Sequence, residues 1–502
     1  MKIIRRELEM KKRLSVFLAL VLCLVSVFST VSFAEAGSGE RVTVTWYAAG
    51  MPYDTTEVNK KATELLNAAG INVDFQLNWL GFDTYYTTIT NMISTGEPFD
   101  IFNHEISAID TYALSNGIYE ITDEDLETLL PGAVEAMGKT MFDNCRYNGH
   151  LYAVPVAHEW AQEFGVEYNE RLAEELGIDM SKVNTVADLD ALFAEVHEKA
   201  PEDVYVMSMP ESNRPFMVMA DLNYINNSET LCLCMDMTDD SKGIFNPFED
   251  EKMIAAIQKI REWLQKGYLL ADWTIDYTSL NLTEGKVFCK IRRTKPGDAE
   301  QESNAFNTFR VKLLSDKHYA TFNDFPGGWG NAISGTSEHP KEAMQVLNFV
   351  YTSPEMMDLL TFGIEGTDYT RDENGYVTFG ENGYAAQLYF CSNWQMGNHY
   401  LCSITQIQAE RGLTDIWDQL KEFNDTATVL DSTGFFFDTS AYQAEITAVT
   451  NTYYEYWAQL FFSEDFDATL KQFNEELYAN GLQTLKDACI EQYNEFLAAK
   501  GK

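Results

Sequence analysis

YNGHLYAVPVAHEW, Tyr147 to Trp160, is predicted to be a strand that leaves one unit of the chain and enters another. Asn148-Gly149 favours a tight turn at its start, because both residues tolerate positive φ. The apolar residues after this turn indicate an extended segment that Pro155 interrupts. The segment ends in three polar or aromatic residues, His158, Glu159 and Trp160. A strand that ends in an imidazole, a carboxylate and an indole predicts a functional site at that end.

Upstream of this stretch, two predicted strands flank one predicted helix. RVTVTWYAAG places Val42, Val44 and Trp46 on one face of a strand, and NVDFQLNWL alternates in the same way. Between them, TTEVNKKATELLNAAG carries apolar residues at helical spacing and stops at Gly70. The order strand, helix, strand implies a parallel sheet with covering helices.

Downstream segments repeat this alternation. In NTVADLDALFAEVHEKAP, Thr185 and Asp188 form a pair like a capping box ahead of an apolar helical stripe. Asn374-Gly375 predicts a hairpin, and the chain from about Ala441 onward is predicted to be almost wholly helical. The fold class is therefore α/β in more than one unit, with a helical C-terminal region.

The chain is long enough for more than one core. Its 502 residues are 45% apolar, so two lobes or more are expected. Near the start, the basic residues Lys11–Arg13 precede an apolar run from Leu14 to Phe28 and a stretch of small residues ending at Ala36. This order predicts a signal peptide over residues 1–36 and export of the mature chain.

Two points about this N-terminal region stay open. Met10 opens a typical signal sequence, so it could be the start in place of Met1. Cys23 lies in the middle of the apolar run, without the small residues that precede a lipid-modified cysteine. We therefore expect simple secretion rather than lipid anchoring, and no membrane-spanning helix in the mature chain.

The charge of the chain excludes one class of partner. After residue 36 the sequence holds 30 basic and 74 acidic residues, a net charge near −44. Such a field repels phosphate backbones, so we expect no binding to nucleic acid. Cys232 and Cys234 alternate in LCLCM without a second pair nearby, which favours buried thiols over a zinc site.

Several passages together resemble the extracellular solute-binding proteins of ABC importers, the group that includes maltodextrin-binding protein. YNGHLYAVP is similar to the segment in which that group crosses between lobes, and GEPFDIFNHE resembles its strand into the cleft. LAEELGIDMSKVNTVADLDAL and NAISGTSEHPKEAMQVLNFVYTSPE resemble two of its helical passages. FGIEGTDYT, GFFFD and the helical tail resemble the C-terminal domain of lipoprotein-like binding proteins of Gram-positive bacteria.

The resemblance implies two α/β lobes that close on a solute by hinge rotation. It divides the chain into the signal peptide 1–36, lobe 1 at 41–156 with a return at 320–392, lobe 2 at 157–319, and residues 393–502, which complete lobe 2 and add the helical region. Crossings are expected at Val154–Ala157, at 318–323 and near 392. The implied partners are an oligosaccharide or similar polar solute and the transmembrane subunits of an ABC permease. We expect a monomer without cofactor or metal.

Sugars present hydroxyl rims and apolar faces, so their sites combine aromatic side chains with carboxylates and amides. The residues that we expect to contact solute are Trp160, Glu159, Trp329, Tyr47, Asn103, His104, Trp273 and Trp394. Asn103 and His104 follow from the resemblance, and Tyr47 is preferred to Trp46 because neighbours on a strand face opposite sides. Trp160 could instead pack between the lobes, and His158 is expected to be structural.

The leading hypothesis is a secreted solute carrier rather than an enzyme. The sequence has no G-x-S-x-G, H-E-x-x-H, P-loop or G-x-G-x-x-G motif. A secreted carbohydrate-active enzyme remains the alternative, since the two carboxylates of a glycosidase share no sequence motif. A surface adhesion or scaffold protein without a small ligand is the third possibility.

Overall fold

A computed structural model describes residues 41–502 except 107–109, 114, 148, 209–213, 270–284, 300–308, 316–317, 321–327 and 380–391. Residues 41–502 form one compact unit. The predicted signal peptide, Trp273 and residues 321–323 of the second predicted crossing lie outside the described residues.

The described residues alternate strands with helices over most of their length. The strands are β1 (Val42–Ala49), β2 (Val73–Leu80), β3 (Ile101–Glu105), β4 (Ala153–Pro155), β5 (Ala161–Asn169), β6 (Tyr205–Met207), β7 (Leu222–Tyr224), β8 (Cys234–Asp236), β9 (Val287–Thr294), β10 (Phe309–Leu313), β11 (Tyr319–Ala320), β12 (Trp329–Ile333), β13 (Thr370–Arg371), β14 (Val377–Thr378) and β15 (Thr428–Val429). The helices of the first half are α1 (Thr56–Ala68), α2 (Phe82–Thr95), α3 (Asp110–Ala113), α4 (Asp123–Thr128), α5 (Pro131–Met137), α6 (Lys139–Asn144), α7 (Glu170–Leu176), α8 (Leu189–Lys199), α9 (Arg214–Ala220) and α10 (Glu251–Gln265). Those of the second half are α11 (Pro340–Thr352), α12 (Pro354–Phe362), α13 (Ser392–Gln395), α14 (Gln406–Glu410), α15 (Ile416–Asp425), α16 (Gln443–Phe462), α17 (Phe466–Ala479) and α18 (Leu482–Ala499).

The first lobe is built on a five-stranded sheet in the order β2-β1-β3-β12-β4. β1 pairs in parallel with β2 and β3, which confirms the parallel arrangement predicted from the strand–helix–strand order. β12, which comes from much later in the chain, runs antiparallel to both β3 and β4. Each face of the sheet has its own hydrophobic cluster, one with α1, α5, α11 and α12 and the other with α2 and α3.

The second lobe is built on a sheet in the order β15-β11-β5-β9-β6, and β10 pairs with β5 as well. A single hydrophobic cluster runs from one face of this sheet through α8, α9 and α10 into the three C-terminal helices. The C-terminal helices α16, α17 and α18 therefore share the core of the second lobe. This arrangement confirms the predicted two-lobe α/β fold with a helical C-terminal region.

The described residues pass between the lobes at three places, and the third differs from the prediction. β4 belongs to the first sheet and β5 to the second, whereas β11 belongs to the second and β12 to the first. Met396 and Cys402 are buried in the first lobe, so residues 393–402 lie with that lobe and not, as predicted, with the second. The third crossing comes after α15, where β15 pairs in parallel with β11. The other domain boundaries stay predictions.

The two cysteines of LCLCM lie in the core of the second lobe. Cys232 and Cys234 are fully buried thiols, as predicted, and burial raises the pKa of both. Within the described ranges, no helix combines the length and apolar character needed to cross a bilayer.

Candidate functional site

The crossings join one edge of the first sheet to one edge of the second. At the first edge β3 ends at Glu105 opposite Trp329, where β12 begins, and β4 ends at Pro155. At the second edge β5 begins at Ala161, opposite the last residue of β11. In open α/β sheets, ligands bind beyond the carboxyl ends of the strands. The residues that follow these strand ends are therefore the candidates for a binding site.

Glu159 lies in the first crossing and is held by two basic groups. Its Oε1 atom forms an ion pair with Lys295 Nζ, just beyond the end of β9, and lies 3.4 Å from Nδ1 of His158. Burial alone would raise the pKa of Glu159, but Lys295 and His158 hold that pKa well below its usual range. Burial would lower the pKa of Lys295, but the charge of Glu159 offsets this effect and the pKa of Lys295 is raised. Both contacts use Oε1, and no hydrogen bond from the described residues reaches Oε2.

A small polar cavity of about 180 Å³ surrounds this ion pair. Its lining residues are His158, Glu159, Trp160, Ala161, Gln162, Arg292, Arg293, Thr294, Lys295 and Asp298. Arg292 spans two carboxylates, with Nη2 3.0 Å from Asp298 and Nη1 2.5 Å from Glu167. On the adjacent strand, burial and the charge of Asp298 raise the pKa of Glu163 to about 7. The cavity therefore presents charges of both signs and suits a polar, hydroxyl-rich ligand.

Trp160 packs between the lobes and also lines this cavity. The half-buried Trp160 packs against the cluster that Met141 of the first lobe forms with Ala320, at the end of β11 in the second. In this position Trp160 can both pack between the lobes and contact a ligand, so the two alternatives do not exclude each other. Because the indole is not wholly buried, it can offer part of its face to a solute.

Asn424, near the end of α15, ties the first crossing to the third. Its Oδ1 atom accepts hydrogen bonds from the backbone N–H of Trp160 at 2.9 Å and of Ala161 at 3.2 Å. Its Nδ2 atom donates to the hydroxyl of Tyr400 at 2.8 Å and to the carbonyl of His158 at 3.3 Å. One amide side chain thus fixes the backbone on which Glu159 and Trp160 stand.

Replacing Asn424 by Ala should lower the free energy of unfolding by about 1–2 kcal/mol, because two backbone N–H groups lose their acceptor. Asn424→Asp keeps an acceptor for both N–H groups but faces the carbonyl of His158 with a charged oxygen, so it should not restore the wild-type stability. Thermal unfolding of the two variants beside the wild type measures the difference. Equal stability of Asn424→Ala and the wild type would contradict the role given to this amide.

Trp329 stands at the edge of the first sheet and Tyr47 lies further inside it, level with Phe102 of β3; both pack on a different cluster from Trp160. Both are half-buried and pack against the aromatic cluster that covers the α2 face of the sheet. The ring of Tyr47 meets that of Phe99 edge-on, with centroids 5.8 Å apart. Trp329 is not among the residues that line the cavity around Glu159. The facing arrangement of Trp160 and Trp329 across one cleft thus stays a prediction.

Asn103 is a buried structural residue and not the ligand contact that was expected. Its side chain is fully buried, accepts a hydrogen bond from the Trp46 indole and donates to the carbonyl of Gln395. The physical reason is strand parity, since Asn103 points to the same face of the sheet as Trp46 and away from His104. Asn103 holds the first lobe together and has no surface for a solute.

His104 points to the other face, beside a group of tyrosines. Its Nδ1 atom donates to the carbonyl of Glu105 at 2.6 Å, which leaves Nε2 as an acceptor. Burial lowers the pKa of His104 to about 4, so the ring is neutral at pH 7. Tyr86, which is 39% exposed and donates to Glu105 at 3.4 Å, lies beside it. Sequence reasoning missed Tyr86, although its spacing of four residues from the exposed Phe82 on α2 marks an aromatic pair.

The remaining predicted residues lie in less informative places. Trp394 is half-buried in α13, next to Gln395, whose side chain hydrogen-bonds to both the N–H and the carbonyl of Ala49. His158 contacts Glu159, which fits the structural role expected for it. Over the part of the chain that the structure describes, no group of three or more His, Cys, Asp or Glu side chains could hold a metal ion.

Two family models match the chain and divide it near the third crossing. Residues 42–364 match the model described as bacterial extracellular solute-binding protein. The chain belongs to this family. Residues 431–498 match a second model, described only as a domain of unknown function. Membership confirms the family resemblance found in the sequence and places the protein among extracellular solute-binding proteins.

Individual relatives of this solute-binding protein cover nearly its whole length. A carbohydrate ABC transporter substrate-binding protein of Streptococcus pneumoniae serotype 4 is 24% identical, and the match covers 93% of each chain. The crystal structure of the N-glycan transport solute binding protein NgtS from Streptococcus pneumoniae has a TM-score of 0.77 at 21% identity, over 91% of this chain and 99% of NgtS. A solute-binding protein of Bifidobacterium longum infantis, described as HMO-binding, has a TM-score of 0.62 at 13% identity, over 91% and 99%. These structures share the fold.

Proposed function

We propose that this protein is the solute-binding component of an ABC importer and that its solute is an oligosaccharide. The observation that carries the proposal is the placement of half-buried aromatic side chains at both sheet edges that the crossings join, Trp329 on one and Trp160 on the other. Indole and phenol rings stack on the apolar faces of sugar rings, and charged groups bind the hydroxyl rims.

The relatives support the same class of solute. NgtS from Streptococcus pneumoniae has been crystallised with Man1GlcNAc and with Man5GlcNAc. We propose that Glu159 accepts hydroxyl hydrogen bonds through Oε2, while Lys295 and His158 hold Oε1 and keep the carboxylate charged. The protein with its bound solute then delivers the solute to the transmembrane subunits of a permease. The protein acts as a monomer and catalyses no reaction.

Incubation of the purified protein with a panel of labelled glycans that includes Man5GlcNAc tests this proposal. We expect saturable binding of one glycan per chain, recovery of the glycan unchanged, and an increase in unfolding temperature. At 100 times the dissociation constant, the ligand should add roughly 2.7 kcal/mol of stability. Sustained cleavage of a glycan would instead identify a carbohydrate-active enzyme, and absence of binding across the panel would favour a scaffold or adhesion protein.

A further inference from the structure

The segment GFFFD, between the third crossing and α16, has three consecutive phenylalanines that point in alternate directions. The ring of Phe435 lies 5.1 Å from Tyr493 and 5.5 Å from Phe496, both in α18. Phe437 belongs to the same core of the second lobe. Phe436, between them, packs instead against the aromatic cluster of the first lobe. The domain of unknown function therefore sends one side chain across to the opposite lobe.

The backbone that directly follows Phe436 is tightly held. Asn226 of the second lobe exchanges two hydrogen bonds with Phe437, accepting from its N–H at 3.0 Å and donating to its carbonyl at 2.8 Å. Gln492 of α18 does the same with Asp438, at 2.8 and 3.1 Å. Because Phe437 and Asp438 are fixed to the second lobe and its C-terminal helices, Phe436 has a fixed position relative to that lobe.

The surface that Phe436 meets is the aromatic cluster on the α2 face of the first sheet. Its ring lies edge-on to Tyr147, with centroids 5.6 Å apart and the rings 80° from parallel. Trp329, Tyr47 and Tyr152 pack half-buried against the same cluster. Gly330 adds no side chain here, and a Cβ at this position would lie 2.7 Å from the Cβ of Ala153. Gly330 and Ala153 therefore pack closely together, and the half-buried rings of Trp329 and Tyr152 are the parts of this cluster with surface left for a sugar ring.

We infer that the domain of unknown function completes the solute site by contributing Phe436 as an aromatic wall opposite Trp329. This inference rests on the proposed function and gives residues 431–498 a part in it. Phe436 is half-buried, so part of its ring is open to a ligand. Since Phe436 moves with the second lobe and Trp329 with the first, a glycan between them is gripped from both sides when the lobes close.

Phe436→Ala should raise the dissociation constant for the tightest-binding glycan of the panel by about tenfold or more, since truncation of an aromatic anchor removes its stacking face. Phe436→Tyr keeps the ring and should bind within about twofold of the wild type. Phe462→Ala is the matched control, because Phe462 lies in the same domain but is 48% exposed on α16. Its dissociation constant should equal that of the wild type. Isothermal titration calorimetry measures all four proteins.

A second readout separates direct contact from an indirect effect on folding. 4-Fluorophenylalanine placed at position 436 should show a ¹⁹F resonance that shifts when glycan is added, and the same label at 462 should not. If the wild type binds a glycan but Phe436→Ala binds it equally well, the inference is overturned and the proposed function stands. If no glycan in the panel binds the wild type, both are overturned. Direct contact is also overturned if Phe436→Ala binds more weakly but the label at position 436 of the otherwise unchanged protein does not shift.

Discussion

Lys295→Met should lower the free energy of unfolding at pH 7 by about 2–3 kcal/mol. The change removes the cation that neutralises Glu159 and leaves a carboxylate in a largely desolvated place. Loss of one partner of a fully buried pair costs about 3–5 kcal/mol. The side chains of Lys295 and Glu159 are 23% and 14% exposed, so solvent recovers part of that cost. Chemical denaturation at pH 7 measures the effect.

The double variant Glu159→Gln/Lys295→Met distinguishes an uncompensated charge from lost packing. If the charge is the cause, the double variant should recover much of the stability that Lys295→Met loses, because neither side chain is then charged. If the double variant is as unstable as Lys295→Met, then packing of the lysine stem, and not the charge, sustains the crossing.

The same pair predicts how stability depends on pH. The pKa of Glu159 is lower in the folded protein than in the unfolded chain, where it lies near 4.3. The unfolded chain therefore binds the proton more readily, and this part of the stability is present above about pH 4.3 and is lost as the pH falls further. Glu159→Gln should show a smaller loss of stability between about pH 5 and pH 2 than the wild type does. If Glu159→Gln loses as much stability as the wild type over this pH range, the pKa of Glu159 is not lowered in the folded protein.

Trp329→Ala should weaken glycan binding by about 1–3 kcal/mol, a typical cost for truncating an aromatic anchor at a binding surface. The residue starts β12 at the sheet edge, and its half-buried indole has part of its surface available for stacking. Trp160→Ala should have an effect in the same range but should also reduce stability, because that indole packs between the lobes. Titration calorimetry with the tightest-binding glycan measures both.

An indole outside the proposed site provides the control. Trp457 packs in the C-terminal helices, with its ring stacked 5.3 Å from that of Tyr453. Trp457→Ala should lower the unfolding temperature and leave the dissociation constant unchanged. Suppose that Trp329→Ala, like Trp457→Ala, lowers stability but leaves the dissociation constant unchanged. Trp329 is then a packing residue, and its assignment to the site is wrong.

Local patterns in the sequence predicted most elements of the fold. The alternation of Val44 and Trp46 placed β1, and the capping box formed by Thr185 and Asp188 directly precedes α8, as expected. The Asn374-Gly375 hairpin is also present, between β13 and β14. These features depend on residues close together in the chain, where a period or a turn residue has one main structural consequence.

Contacts between distant residues could not be predicted in the same way. Lys295 stands 136 residues from Glu159, and nothing local to either residue indicates that they form a pair. The alternation of β3 shows that Asn103 and His104 face opposite sides, but it does not show which side is covered. Met396 and Cys402 are ordinary apolar residues whose burial in the first lobe is decided by long-range packing, so the third crossing was placed too early.

Gln395 sets how much of the chain must be synthesised before the first lobe can fold completely. Its side chain bonds to Ala49 at the end of β1, and its carbonyl accepts hydrogen bonds from Asn103 in β3 and Asn331 in β12. A residue near position 400 of 502 thus completes a sheet whose first strand begins at residue 42. The first lobe cannot reach its final hydrogen bonding while the nascent chain is shorter than this. Because such distant contacts are slow to form, the early strands stay open to aggregation, and a holding chaperone should raise the yield of refolded protein.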